Sequence, residues 1–146
     1  LYYVNRQQIE LILEQIPDLA NGLRSAVGSW DGSLMLGLVQ ERCLHLAIEV
    51  VTDTGSCLID GFIMRDAGSY EDIISIIHEE RVFADKEMYA QLIELVALRK
   101  PLVQDYYLWD RSSLHPLSLV IPGLLEQFAS EVRGYLDQEL GSRAEA

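Results

Sequence analysis

The stretch from Leu34 to Leu58, LMLGLVQERCLHLAIEVVTDTGSCL, decides the fold. Its apolar residues, among them Val39, Cys43, Leu44, Leu46, Ala47, Ile48, Val50, Val51 and Leu58, do not keep to one stripe but surround the helix axis. A helix that is apolar nearly all round belongs inside a bundle, so this one is expected to be its central member. One line of residues breaks the pattern. Arg42, His45, Glu49 and Asp53 recur at intervals of three and four and therefore share a face, along which opposite charges can pair. That face reads either as a solvated edge or as a polar seam turned toward a partner helix.

On the N-terminal side, Asn5 caps a first helix with Gln8 placed to return the capping-box bond, and Ile9, Ile12, Leu13, Ile16, Leu23 and Val27 keep one face apolar. Pro17 should bend that helix. The residues from Val27 to Ser33 have the Gly, Ser and Asp content of a connection. On the C-terminal side, the run from Asp60 to Gly68 interrupts the periodicity, and Ser69 with Asp72 opens a short helix bearing Ile73, Ile74, Ile76 and Ile77. Asp85 caps the next helix, whose spacing runs through Met88, Leu92 and Leu95 to Tyr106 with a bend expected at Pro101. After a turn at Asp110 to Ser113, a final amphipathic helix is expected from about Leu114 to Leu140. No alternating strand pattern competes. The fold class is all-α, an up-and-down bundle of four to five helices, read as a single domain over 1–146 whose tail after Gly141 should fray.

Charge narrows the functions. The 146 residues carry a formal net charge of −12, which repels nucleic acid and anionic membrane, so any RNA contact has to be local. No run of 18 apolar residues and no basic-then-apolar leader appears, which predicts a cytoplasmic protein without a membrane span. Cys43 and Cys57 fall on the central helix, roughly 21 Å apart along its axis, far beyond disulfide reach, and read as reduced, buried thiols. Paired Glu-x-x-His motifs and zinc-ligand cysteine spacings are absent, so neither metal nor cofactor is expected.

Arg99 stands out, because Met88, Leu92, Leu95, Arg99, Leu102 and Tyr106 step along one face. A guanidinium on an apolar face needs an anion or a path to water. Asp53, ahead of Glu49, is the expected resting partner; the other reading is that the side chain snorkels to solvent.

The segment Leu98-Arg99-Lys100-Pro101-Leu102-Val103-Gln104-Asp105-Tyr106 resembles the HEPN nuclease motif, an arginine followed after four to six residues by histidine and, in HepT-like proteins, by tyrosine two positions later. Gln104 stands where that histidine is expected, and Lys100 where many relatives carry asparagine. The run from Leu46 to Glu49, Asp53, Gly55, the run from Asp60 to Asp66, then Gly68-Ser69-Tyr70, and the opening Tyr2-Tyr3-Val4-Asn5-Arg6 are similar to a YutE-like bacterial branch of the same family. The likeness therefore covers nearly the whole chain. It implies a two-fold homodimer, metal-independent RNA cleavage and, in many bacteria, a nucleotidyltransferase antitoxin that transfers AMP to the motif tyrosine, here Tyr106. Arg99 would stabilise the phosphate, and Gln104 could only hydrogen-bond, since an amide does not titrate near neutrality. A missing acid or base typically costs about 10² to 10⁴ in rate. Among the histidines, His45 reads as paired with Glu49, His78 as a helix-end residue and His115 as part of a helix start. Two readings follow: a HepT-like endoribonuclease toxin, weakened by Gln104, or a catalytically silent dimer that binds a partner and is modified at Tyr106.

Overall fold

In the computed structural model, which describes residues 3–141, the helices opened by Asn5, Ser33, Ser69 and Asp85 each start where a short polar side chain takes up a free amide. Asn5 accepts from Gln8 N to open α1 (Arg6–Leu13). The chain then breaks rather than bends: α2 (Ile16–Gly28) is a separate helix with Pro17 in its first turn, where the missing amide costs nothing. Ser33 caps α3 (Leu34–Gly61), Ser69 caps α4 (Tyr70–Glu79) and Asp85 caps α5 (Lys86–Ala97). The last helix, α6 (Ile121–Leu140), begins later than the spacing suggested. A 3-10 turn at Pro116–Leu119 precedes it, because two prolines, Pro116 and Pro122, each cost an amide close to a helix start. The tail after Gly141 lies outside the described residues, among which no strand occurs.

The 28-residue α3 is the axis of the bundle and packs against α1, α2, α4, α5 and α6, with α2 lying along α6. Leu44, Ala47, Ile48, Val51 and Leu58 on it are fully buried. At Gly55 the helix approaches α4 so closely that a Cβ would lie 2.4 Å from Ile73 Cγ2. Cys43 and Cys57 are free and half-buried, more open than the sequence suggested; burial pushes both thiols up, and Asp53 and Asp60 add to it at Cys57. Among the described residues no helix is long and apolar enough to cross a membrane.

The returning segment after α5 is mostly irregular, and a polar residue inside α3 holds it. Gln40 is fully buried, spaced three and four residues from Gly37 and Leu44 on the inward face. Its Nε2 donates to Ser113 O at 3.1 Å, and its Oε1 accepts from His115 N and Ser118 Oγ, both at 2.7 Å. Next to it, a Cβ on Gly37 would fall 2.0 Å from the Arg111 carbonyl oxygen, so only glycine admits this approach. Arg111 itself pairs with Glu41 at 2.8 Å. Asp110 accepts from Ser112 and Ser113, which holds its carboxyl down at about 2 and shapes the expected turn.

Replacing Gln40 by leucine would leave three polar groups of the 113–118 segment without partners, each worth about 1 to 3 kcal/mol when buried unpaired. Gln40→Leu is expected to lower stability by at least about 2 kcal/mol at an unchanged denaturant m-value, measured by urea unfolding.

Candidate functional site

The α-helix of α5 stops at Ala97 instead of running through Tyr106. Pro101 has no amide to give to the Ala97 carbonyl, and its ring crowds that turn. The chain widens into one π-helical turn, Lys100–Gln104, closed by Asp105 N donating to Lys100 O at 2.9 Å. The widening changes which residues face together. On an α-helix Arg99 and Gln104 would lie about 140° apart. An i→i+5 turn takes about four to five residues to come round, which returns both to nearly one side. A 3-10 turn follows at Tyr106–Leu108.

Leu102 is buried and anchors the turn; Arg99 is half-buried and Gln104 is exposed. Among the described residues the Gln104 amide makes no hydrogen bond. Tyr106 is 56% and Tyr107 70% exposed, their rings meeting edge to face at 5.7 Å. The motif tyrosine is therefore largely exposed, beside a second tyrosine that the spacing alone did not single out.

Arg99 does not rest on Asp53 or Glu49. Arg6, Arg24, Arg65, Arg111 and Arg133 are ion-paired among the described residues, and Arg99 is not. Its guanidinium instead lies over the ring of Tyr70, 4.2 Å from the centroid, with its buried Nε lacking a hydrogen-bond partner. The expected carboxylate contact fails because the acids turn elsewhere. Glu49 and Asp53 line a groove of about 270 Å³ with Gln8, Leu11 and Ile12 from α1 and Gln15 just before α2. Loss of hydration there, and then Glu49, raise the Asp53 carboxyl above its usual range. His45 sits 3.5 Å from Glu49, as expected, and its other ring nitrogen is 3.5 Å from Arg42. The polar line on α3 is thus an outward-facing edge. It continues toward the N-terminus of α3 into Leu34, Met35 and Leu38, all exposed and Met35 by 75%.

The other histidines hold structure. His78 Nδ1 meets Phe83 O at 3.0 Å, and its ring stacks on Tyr89. His115 Nδ1 accepts from Leu117 N at 3.1 Å and starts the 3-10 turn. Gln40 was passed over in the sequence, and Tyr70, quoted there only within Gly68-Ser69-Tyr70, was given no part beside Arg99. Gln40 was visible as a glutamine at an inward position of an apolar helix. Tyr70 was visible as the first helical residue after Ser69, in a turn otherwise acidic with Glu71 and Asp72. Among the described residues no three His, Cys, Asp or Glu side chains are grouped to hold a metal ion.

With this geometry in place, comparison with known proteins is specific. The family model described as "Ribonuclease HepT-like" matches residues 9–115. A Bacillus subtilis (strain 168) protein named "Putative RNase YutE" is 40% identical over 147 residues, covering 97% of this chain and 96% of the relative. A solved structure, "Structure of Cytosolic Protein of Unknown Function YutE from Bacillus subtilis", superposes with a TM-score of 0.84 at 39% identity, over 97% of this chain and 96% of that one.

Burial lowers the His115 pKa, partly opposed by Glu94. A base whose folded value lies below its unfolded value of about 6.5 contributes stability in full above that value and loses it as pH falls through the folded value. NMR titration should therefore place His115 below the ordinary histidine range. The urea midpoint should fall on acidification below about pH 6.5, and His115→Asn, which keeps an acceptor for Leu117 N, should flatten that dependence.

Proposed function

The chain belongs to the HepT-like ribonuclease family, and from that premise we propose that it is a metal-independent endoribonuclease of the toxin type, weakened at one position. The observation that carries the reading is the π-helical turn at Pro101, whose wider repeat favours Arg99 and Gln104 lying closer to one side than an α-helix would allow. In the proposed reaction the RNA 2′-hydroxyl attacks the adjacent phosphorus, the 5′-oxygen leaves, and a 2′,3′-cyclic phosphate results. The planar fork of Arg99 suits the charge that grows on the phosphate oxygens. Gln104 has the length to hold an attacking or leaving oxygen by hydrogen bonding. It supplies no proton near pH 7, so transfer falls to water and the rate suffers by about 10² to 10⁴.

A second copy is the proposed partner of the outward face of α3. Arg42 and His45 precede Glu49 and Asp53 along that face, so a two-fold antiparallel pairing lays cations of one copy toward acids of the other. The exposed Leu34, Met35 and Leu38 on the same face add apolar area. RNA would then meet the dimer only near the motif, as a chain with net charge −12 requires. The cytosol is the proposed compartment.

One observation favours a different role. Gln104 cannot move a proton near neutral pH, and Tyr106 is 56% exposed. A silent dimer whose Tyr106 receives AMP from a nucleotidyltransferase antitoxin would use the same surface without cleaving RNA.

The deciding experiment compares wild type, Gln104→His and Gln104→His with Arg99→Ala on RNA in metal-free buffer. Gln104 is exposed and makes no side-chain hydrogen bond among the described residues, so the histidine variant should keep its stability to within about 1 kcal/mol. It should cleave at least about tenfold faster than wild type, within the range of an added acid or base, and Arg99→Ala should abolish the gain. No cleavage by any of the three transfers support to the silent dimer. Separately, sedimentation should give a dimer at micromolar concentration that Leu38→Glu dissociates; a wild-type monomer would remove the paired-face reading.

A further inference from the structure

Arg99 is unusual for what does not touch it. The chain has 23 acidic residues against 11 basic ones, so a half-buried guanidinium would ordinarily find a carboxylate. Asp60 and Asp66 line a hollow of about 520 Å³ together with Tyr70, yet neither pairs with Arg99. Tyr70 is the first residue of α4, next to the Ser69 cap, and Glu71 and Asp72 complete the turn. At that position an acid would gain from the helix dipole and could also neutralise Arg99, so stability by itself favours one. The residue present is a tyrosine, 42% exposed, whose ring carries the guanidinium on its face. A π face attracts a cation without occupying its N–H groups. A carboxylate would occupy two of them.

We infer that Tyr70 is a positioning residue for the proposed phosphate contact: its ring holds the Arg99 guanidinium by cation–π attraction and buries Nε without neutralising it, leaving the terminal N–H groups free for an RNA phosphate. This rests on the reading of Arg99 as a phosphate ligand and adds the device that keeps it available. The stack lowers the entropy lost when the fork closes on an anion, because the side chain is already restrained. It also keeps the site cationic inside an acidic molecule.

The test reads Arg99 directly. The Nε–H signal of Arg99, assigned by its loss in Arg99→Lys, should be displaced by the Tyr70 ring current in wild type. It should remain displaced in Tyr70→Phe and return to an ordinary position in Tyr70→Leu. Titration with inorganic phosphate should move this signal in wild type and Tyr70→Phe, and bind about tenfold more weakly in Tyr70→Leu. Tyr70→Glu should keep the fold and a restrained Arg99 while losing the phosphate response, which a merely structural tyrosine would not predict. In the Gln104→His background, Tyr70→Leu should lower kcat/KM for RNA about tenfold, and Tyr70→Phe should not. Equal Arg99 signals and equal phosphate binding in wild type and Tyr70→Leu, or no phosphate response in wild type, would overturn the inference. If phosphate binds as expected and no variant cleaves RNA, the nuclease reading falls and the role of Tyr70 stands. Tyr70 is partly exposed at a helix start, so thermal melts can confirm that each variant is folded.

Discussion

The buried amide of Gln40 is the interaction on which the candidate site depends. Irregular backbone cannot lie against an apolar helix unless its polar groups find partners, and the segment after α5 is irregular from Lys100 to Leu119. Gln40 answers Ser113, His115 and Ser118 at once, and Gly37 beside it lets the Arg111 carbonyl close on the helix. Because α3 is held by helices on several sides, it is a rigid post for that attachment. The motif is thereby suspended between two fixed ends, the packed face of α5 above Leu95 and the Gln40 anchorage below Trp109.

Between those ends the chain solves a local problem set by Pro101. A proline inside a helix forfeits one hydrogen bond and crowds the preceding carbonyl. A wider turn relieves both, and the relief has a chemical consequence, since it gathers residues five apart onto one side. The same relief exposes Tyr106, Tyr107 and Leu108 in the following 3-10 turn, which places an aromatic, apolar surface next to the arginine. The charge of the molecule gives this placement its meaning. In a chain of net charge −12 the arginines at 6, 24, 65, 111 and 133 are ion-paired, while Arg42 and Arg81, which are not, are exposed. Arg99 is half-buried and rests on a tyrosine face without an ion pair, which is what the proposed contact with an outside anion draws on.

Most of the fold was legible from one-dimensional pattern. The all-round apolarity of residues 34–58 placed α3 at the centre, and Asn5, Ser69 and Asp85 marked helix starts because capping is decided within four residues. The pairing of His45 with Glu49 was legible for the same reason, being one helical turn apart. The effects of Pro17 and Pro101 were legible in place and not in kind, since Pro17 divides a helix and Pro101 widens one, whereas the delay of the last helix by Pro116 and Pro122 was not foreseen. Each outcome depends on what packs against the disturbed turn.

What residue order by itself determined is therefore whatever rests on spacing along the chain: the helical class, the central helix, the caps, and an arginine five residues before a glutamine in place of histidine. What only the tertiary structure decided is which neighbour each exceptional side chain meets. Asp53, ahead of Glu49, was the partner the sequence offered to Arg99, but both acids line the groove beside α1, and the start of α4, with Tyr70, meets the guanidinium instead. Gln40 could have been a solvated glutamine until the returning segment closed over it. Helix rotation and the course of an irregular segment are set by packing the whole core at once, and that sum over distant contacts is not written in any local window.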